Sequence, residues 1–224
     1  MASDTYLDGV LGRMAVIVTV IVLILILASC TVSPPQWQIY GFHDGAFAAL
    51  PDTRETIIPY AIDTTLSPPA TPSEWDVTAV SLVDVTGDGE PEWVLLVWRP
   101  WRDWPIQEWV SAPSPISDFH DAGGNSCHLI LLDPGDGHEI WAGSALPAPL
   151  LALAVGDVNG DGLNEAVTLE GDYTTGRGGP ASRVDVWAWN DFGFSLKWRS
   201  PEGTYHQLEL IDSSRDGPLQ IAVR

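Results

Sequence analysis

Leu153-Ala-Val-Gly-Asp-Val-Asn-Gly-Asp-Gly-Leu-Asn-Glu-Ala-Val-Thr-Leu-Glu170 joins two apolar stretches through an acidic, glycine-containing loop. The same pattern occurs without gaps in Val80-Ser-Leu-Val-Asp-Val-Thr-Gly-Asp-Gly-Glu-Pro-Glu-Trp-Val-Leu-Leu-Val97. A degenerate third copy covers residues 208–223 and keeps Asp212, Asp216 and Gly217 at matching offsets. Three copies of one template indicate a repeat protein.

Each of the first two copies is followed by a β-hairpin pattern. In the first unit this pattern covers residues 128–141 around a Pro-Gly-Asp-Gly turn, and in the second it covers residues 183–198 around an Asn-Asp-Phe-Gly turn. Short apolar stretches that alternate with glycine-containing turns are typical of strands. The sequence therefore predicts an all-β fold of four-stranded units, each the size of a propeller blade.

The connection between the second and third strands is longer in the first unit, residues 99–126, than in the second, residues 171–182. Four tryptophans, Trp98, Trp101, Trp104 and Trp109, mark its beginning. Exposed tryptophan can stack on sugar rings or anchor a protein interface. We therefore expect a protein or carbohydrate ligand at the tryptophan-rich loop, residues 98–109. The alternative is that these side chains fold back as a small satellite core.

The acidic loops carry oxygen ligands at positions 1, 3, 5 and 9, with a glycine at position 6 where the backbone must turn sharply. Calcium takes about six to eight oxygen ligands, so both loops are interpreted as Ca²⁺ sites. The donors in the second loop are Asp157, Asn159, Asp161, the carbonyl of Leu163, and Glu165. Those in the first loop are Asp84, Thr86, Asp88, the carbonyl of Glu90, and Glu92.

Because Thr86 is a weaker donor than Asn159, we expect the second loop to be the main site. The alternative is that the loops are hairpin turns that hold no metal. This alternative is the expectation for the third copy, where Ser214 and Gln220 are weak ligands and Arg215 adds a positive charge.

Position 12 separates the families that use such a loop. The EF-hand and dockerin loops place an acid there and continue into a helix. Here position 12 is Leu95, Thr168 or Val223, and the flanking segments are strand-like. Residues 76–224 instead resemble FG-GAP or VCBS repeats, a family in which an acid at position 9, here Glu92 or Glu165, completes the site. Neither the Phe-Gly nor the Gly-Ala-Pro signature flanks the loops, so the chain is nearer the bacterial VCBS form.

The resemblance implies a β-propeller, the fold of integrin-α heads and of many bacterial surface proteins. About two and a half blades are present, whereas a closed ring needs about four. We therefore expect a partial or open propeller, or a fragment of a longer one. Two strand-like segments, residues 37–42 and 56–62, are candidates for the missing strands of the third unit.

Residues 14–28 form an unbroken apolar run that is short for a membrane-spanning helix. The run ends in Leu27-Ala-Ser-Cys30, which resembles the lipobox of bacterial lipoproteins. This resemblance implies a signal peptide over residues 1–29 and a lipid on Cys30, which anchors the exported part to a membrane at the cell surface or in the periplasm. Residues 30–75 then supply a tether and N-terminal strands. An uncleaved signal anchor is the alternative.

The formal net charge is −20, with 30 acidic against ten basic residues. This balance excludes a nucleic-acid partner, which would require clustered Lys and Arg. No Gly-x-Ser-x-Gly, His-Glu-x-x-His or Cys-x-x-Cys motif occurs, and Cys127 is expected to be a free, buried thiol. We therefore predict a non-enzymatic binding, adhesion or scaffold module. The alternative is the propeller part of an extracellular polysaccharide-acting hydrolase.

Overall fold

A computed structural model describes residues 36–60, 67–104, 108–212 and 217–224. Residues 1–35, which include the predicted signal peptide and Cys30, lie outside this description. The described residues form twelve β-strands and no α-helix, which confirms the all-β prediction. The strands are β1 Trp37–His43, β2 Ala46–Arg54, β3 Asp76–Val83, β4 Glu92–Pro100, β5 Asn125–Leu132, β6 Glu139–Ala142, β7 Leu150–Gly156, β8 Glu165–Glu170, β9 Arg183–Trp189, β10 Phe194–Arg199, β11 Leu208–Ile211 and β12 Gln220–Val223.

The strands form three antiparallel sheets of four strands each. The first sheet has the order β3-β4-β5-β6, and the second has the equivalent order β7-β8-β9-β10. The third sheet has the order β11-β12-β1-β2, so it combines the last two strands of the described residues with the first two. The predicted four-stranded units are therefore confirmed, and N-terminal strands complete the third.

The N-terminal contribution differs in one strand from the prediction. β1 pairs with β12, with Gln38 opposite Val223, as expected for residues 37–42. The second predicted strand, residues 56–62, is wrong over its described part, where Pro59 makes only an isolated bridge. The second N-terminal strand is instead β2, which pairs with β1 on the side opposite β12. Asp44 and Gly45 make the tight turn between β1 and β2, with φ values of 52° and 81°.

The structural repeat extends to a local irregularity in the pairing. In the first sheet the register of β3 against β4 shifts between Val77 and Ala79. In the second sheet the register of β7 against β8 shifts between Leu150 and Ala152, the equivalent positions of the repeat. A bulge at the same place in both units indicates that the two units fold in the same way, down to the extra residue in the first strand.

Apolar side chains fill the spaces between the sheets. Between the first and second sheets, Leu96, Leu129 and Cys127 pack with Leu150 and other buried residues. Cys127 is a free, buried cysteine on β5, as predicted. A second cluster joins the second and third sheets, with these buried members: Val167, Leu169, Val184, Val186, Tyr40, Leu210, Ile221 and Val223. Burial of each large aliphatic side chain contributes about 1.5–3 kcal/mol to folding.

The second strand of each sheet lies in its interior and is buried on both faces. On β4, Leu96 contributes to the cluster that faces the second sheet, whereas Leu95 and Val97 belong to a cluster with Val77 and Val80. This alternation explains why the strand reads as a continuous apolar run in the sequence.

The first strands of the three sheets lie side by side. β7 contacts both β3 and β11, whereas β3 and β11 make no comparable contact with each other in the part of the chain that the structure describes. The hairpin loops that follow β3 and β7 therefore belong to neighbouring sheets.

Within the described ranges, no helical segment has the length and hydropathy of a bilayer-spanning helix.

Candidate functional site

The two acidic loops connect the first and second strands of their sheets. The first acidic loop, residues 84–92, follows β3, and the second acidic loop, residues 157–165, follows β7. Both loops turn at two glycines with positive φ, which residues with a β-carbon rarely adopt. These are Gly87 and Gly89 at 78° and 94° in the first loop, and Gly160 and Gly162 at 79° and 88° in the second.

The aspartate at position 1 holds the turn closed in both loops. The carboxylate of Asp84 accepts hydrogen bonds from the N–H groups of Gly87 at 2.6 Å and Gly89 at 2.9 Å. The carboxylate of Asp157 accepts the equivalent bonds from Gly160 at 2.6 Å and Gly162 at 3.0 Å. The carboxylate of the position-1 aspartate therefore already accepts two backbone hydrogen bonds, and the turn fixes the direction of its remaining lone pairs.

The glutamate at position 9 is buried in both loops, with exposed fractions of 3% for Glu92 and 2% for Glu165. Oε2 of Glu92 accepts a hydrogen bond from the N–H of Val85 at 3.0 Å, and Oε2 of Glu165 accepts one from Val158 at 3.1 Å. A buried carboxylate requires such partners or a cation, because desolvation of an isolated charge is costly.

The first acidic loop brings its three carboxylates together. Oxygens of Asp84, Asp88 and Glu92 all lie within 4.8 Å of one another. A cation bound at about 2.3–2.6 Å from each oxygen holds its ligands no farther than about 5 Å apart, so this spacing fits a shared ion. Thr86 lies in the same group, and its hydroxyl donates to Oε1 of Glu92 at 2.9 Å.

The second acidic loop uses an amide where the first uses a hydroxyl. Nδ2 of Asn159 donates to Oε1 of Glu165 at 2.7 Å and to Oδ2 of Asp161 at 3.1 Å. The amide nitrogen therefore stands between the two carboxylates, and the amide must rotate to present its oxygen to a cation. Asn159, Asp161 and Glu165 line a cavity of about 500 Å³ that reaches this position.

Burial raises the pKa of Glu165 to about 7, and the neighbouring charges of Asp161 and Asp157 raise it further against the backbone hydrogen bonds that lower it. Both effects disfavour the ionised form when no cation is present. The second acidic loop therefore carries an electrostatic cost that a bound cation would remove.

The two residues predicted to supply carbonyl ligands, Glu90 and Leu163, bond through their N–H groups to the position-5 carboxylates. The N–H of Glu90 donates to Oδ1 of Asp88 at 2.9 Å, and the N–H of Leu163 donates to Oδ1 of Asp161 at 2.9 Å. In the degenerate third copy, Asp216 falls within residues 213–216, outside the described part of the chain.

The acidic loops also contact one another. A β-carbon added to Gly87 would lie 2.8 Å from Cδ2 of Leu163, so the side chain of the second loop covers the glycine of the first. The second loop in turn lies against the third copy, where the N–H of Leu219 donates to the carbonyl of Asp157 at 2.9 Å. The first loop therefore contacts the second, and the second contacts the described end of the third copy at Leu219.

The tryptophan-rich loop is only partly exposed. Trp98 is 2% exposed, so the expectation of exposure is wrong at this position. Its ring packs edge-on against Tyr173 at a centroid distance of 5.8 Å, and the guanidinium of Arg177 lies 4.3 Å from its centroid. Trp98 belongs to β4, where alternate side chains face the second sheet.

The other tryptophans of this loop become progressively more accessible. Trp101 is half-buried, and its indole N–H donates to the carbonyl of Ile116 at 3.1 Å. Trp104 is 45% exposed and Trp109 is 83% exposed. Two of the four tryptophans are therefore available to a partner.

Sequence reasoning missed a pocket beside this loop. The cavity has a volume of about 390 Å³, and its lining includes residues from across the first sheet: Trp75, Arg99, Arg102, Trp104, Ser126, His128 and Glu139. Only the pairing of β4 with β5 brings Arg99 opposite Ser126, so the sequence carries no local signal for the cavity.

A second acidic group was also missed, in the turn between β5 and β6. Asp133, Asp136 and His138 have ligand atoms within 4.8 Å of one another. The carboxylate of Asp133 accepts hydrogen bonds from the N–H groups of Gly135 and Asp136, as expected of an aspartate that begins a turn. The turn alone explains this group.

Comparison of the chain with protein-family models, with curated proteins and with solved structures found no match.

Proposed function

We propose that the chain is a calcium-stabilised binding module of a membrane-anchored lipoprotein, without catalytic activity of its own. The observation that carries this proposal is the shared construction of the two acidic loops. In both, a position-1 aspartate closes the turn on two glycine N–H groups and a position-9 glutamate is buried in the loop. In the first loop three carboxylates come within 4.8 Å of one another, an arrangement that is repulsive without a cation.

The chemistry of the donors favours calcium among the common cations. The predicted ligands are carboxylate, hydroxyl, amide and carbonyl oxygens, with no nitrogen or sulfur donor, and hard cations prefer such sets. Calcium accepts a larger and less regular shell of oxygen ligands than the strict octahedron of magnesium, so a mixed set of carboxylate, amide and carbonyl donors suits calcium better. The formal charge of −20 adds a general attraction for cations.

We further propose that the three sheets are blades of a partial or open propeller. The side-by-side packing of β7 with β3 and β11 supports this arrangement, as does the repeated register shift in the first strand. A sheet built from both ends of the described chain is a further supporting feature, because it fastens the last repeat to the first strands.

The proposed attachment is a lipid on Cys30 after removal of residues 1–29, at the cell surface or in the periplasm, and it rests on Leu27-Ala-Ser-Cys30. The proposed partner is a protein or a carbohydrate that meets the exposed part of the tryptophan-rich loop, Trp104 and Trp109. A Cys30→Ala variant is expected to lose lipid-dependent membrane partitioning, measured by detergent phase separation and mass spectrometry.

Thermal melting with calcium and with a chelator tests the metal sites. Saturation at about 100 times the dissociation constant should stabilise the fold by about 2.7 kcal/mol. Asp161→Ala and Asp88→Ala should each remove part of the shift, and the larger loss identifies the main site. The sequence predicts the second loop as the main calcium site, because Asn159 is a better donor than Thr86. The convergence of the three carboxylates favours the first loop instead. Identical melting curves in calcium and chelator would contradict the calcium function.

A further inference from the structure

Two indoles flank the cavity beside the tryptophan-rich loop. Trp75, just before β3, and Trp104, in the loop after β4, both line this space of about 390 Å³. Trp75 is half-buried and Trp104 is 45% exposed, so both side chains keep accessible surface. The volume lies within the range of small-molecule sites, and indole rings offer the rigid apolar surface on which a sugar ring can stack.

Two guanidinium groups line the same cavity without a carboxylate partner. No ion pair involves Arg99 or Arg102 within the ranges that the structure describes, whereas three arginines elsewhere pair with acids: Arg177, Arg183 and Arg199. Arg99 instead lies 5.6 Å from the ring centroid of Trp75. In a chain with 30 acidic and ten basic residues, two unpaired guanidiniums in one cavity are a specific feature.

The buried wall of the cavity adds polar atoms but no positive charge. Nδ1 of His128 donates to the carbonyl of Gly143 at 2.8 Å, and Nε2 accepts from the hydroxyl of Ser126 at 2.7 Å, with the tautomer assigned from these partners. Both positions of the ring are therefore satisfied by a neutral imidazole. The positive charge of the cavity comes from Arg99 and Arg102 alone.

Two carboxylates, Glu74 and Glu139, also line the cavity, but both side chains are exposed. The charge of Glu139 raises the pKa of Arg99 against the larger effect of burial, and neither glutamate forms an ion pair with Arg99 or Arg102 in the described part of the chain. Solvent screens exposed charges, while Arg99 is half-buried and burial lowers its pKa. A ligand anion placed over Arg99 and Arg102 would form the charge-assisted hydrogen bonds that the protein itself does not supply.

We propose that this cavity binds a saccharide that carries a carboxylate, with a hexuronate as the recognised unit. The indoles of Trp75 and Trp104 contact the apolar face of the sugar, and the guanidiniums of Arg99 and Arg102 hold its carboxylate. The exposed acids at the rim accept hydrogen bonds from its hydroxyl groups. This inference rests on the proposed binding function and names the ligand class at its site.

A matched pair of disaccharides tests the inference with the full chain in detergent and calcium. Glucuronosyl-glucose and cellobiose differ in one group, a carboxylate in place of a hydroxymethyl. Titration followed by tryptophan fluorescence and calorimetry should give saturable binding of the uronate disaccharide, at least about tenfold tighter than that of cellobiose. Sodium acetate at the same concentration should not compete, which separates a saccharide site from a simple anion site.

Exposed residues provide variants that should fold. Arg102→Gln should remove the preference for the uronate, and Trp104→Ala should weaken both disaccharides by about tenfold or more. Trp109→Ala is the control, because Trp109 is exposed in the same loop but does not line the cavity. Equal binding of the two disaccharides, no saturable binding, displacement by acetate, or an equal effect of Trp109→Ala would overturn the inference.

The calcium experiment is independent of this result. If calcium stabilises the protein but the uronate does not bind, only the assignment of the ligand is overturned. A protein that binds the uronate with Arg102-dependent preference, yet melts identically in calcium and chelator, keeps the ligand assignment and loses the metal function.

Discussion

The side-chain amide of Asn164 donates a hydrogen bond of 2.7 Å to the backbone carbonyl of Asp84. Asn164 is position 8 of the second acidic loop, and Asp84 is position 1 of the first. The next pair of loops repeats the contact through the backbone, because the N–H of Leu219, position 8 of the third copy, donates to the carbonyl of Asp157. Each loop is therefore tied to the first ligand residue of the loop before it.

Asn164→Ala should lower the free energy of unfolding by about 1–2 kcal/mol, since the carbonyl of Asp84 loses a partly buried partner. Asn164→Asp should cost more, because a carboxylate cannot donate and would face the carbonyl oxygen. Chemical denaturation of the two variants measures this order. Equal stability of wild type and both variants would show that the hydrogen bond does not couple the loops.

The calcium dependence should vary with pH through Glu165. Its folded-state pKa is raised to about 7, above the unfolded value of about 4.5. In the calcium-free protein the neutral carboxyl therefore contributes stability that is fully present below pH 4.5 and is lost as the pH rises through 7, at most about 3 kcal/mol. The difference in melting temperature between calcium and chelator should grow from pH 5.5 to pH 8.

Glu165→Gln should raise the melting temperature of the calcium-free protein at pH 8 and reduce the shift on adding calcium. Glu90→Gln is the control, because Glu90 is an exposed residue from which only the carbonyl is a predicted ligand. A calcium shift that is independent of pH in the wild type would contradict the role of this carboxyl.

Trp98 should be a structural residue rather than part of a binding surface. Trp98→Ala is expected to cost about 3–5 kcal/mol of stability, because it opens a cavity under Tyr173 and Arg177. Trp109→Ala should change stability by less than about 0.5 kcal/mol, since its side chain is exposed. Comparable denaturation midpoints for the two variants would be inconsistent with the burial of Trp98.

His128 should make the fold sensitive to acid. Burial lowers its folded-state pKa to about 4, below the unfolded value of about 6.5. A depressed histidine pKa means stability that is present above pH 6.5 and lost as the pH falls toward 4, at most about 3 kcal/mol. The midpoint of its imidazole signals in an NMR titration should lie near pH 4.

His128→Gln should flatten the dependence of stability on pH between 4 and 6.5. His138→Gln is the control, because the hydrogen bond with Asp136 raises the pKa of His138. An NMR midpoint for His128 near the value of a free histidine would contradict the argument.

The strands that the sequence predicted well are those that repeat. β3 and β4 match β7 and β8 in pattern because both pairs have apolar runs on either side of an Asp-Gly loop. The apolar runs and the turn residues therefore indicate the same structure, a hairpin. The second N-terminal strand was misplaced because residues 56–62 are apolar, whereas β2 contains Pro51 and alanines. The Asp44-Gly45 turn was the available signal, typical of a two-residue hairpin.

The position of the acidic loops between strands could be predicted because each loop is continuous in sequence. The structure gathers the carboxylates of Asp84, Asp88 and Glu92 in the first loop, whereas in the second the amide of Asn159 lies between two carboxylates. The pocket could not be predicted, because Arg99 and His128 come from strands that only sheet pairing brings together. The burial of Trp98 likewise depends on Tyr173, which lies 75 residues farther along the chain.

The pairing of β1 with β12 has a consequence for the order of events during synthesis. Gln38 pairs with Thr53 of the neighbouring β2 on one side, but its partner on the other side is Val223, so this second pairing waits for nearly the whole of the described chain to be made. Domains form from the N-terminal side as the chain emerges, and contacts of long sequence separation close slowly. The first and second sheets can assemble earlier from neighbouring segments, while the hairpin of β1 and β2 keeps an unpaired strand edge until β12 has been made.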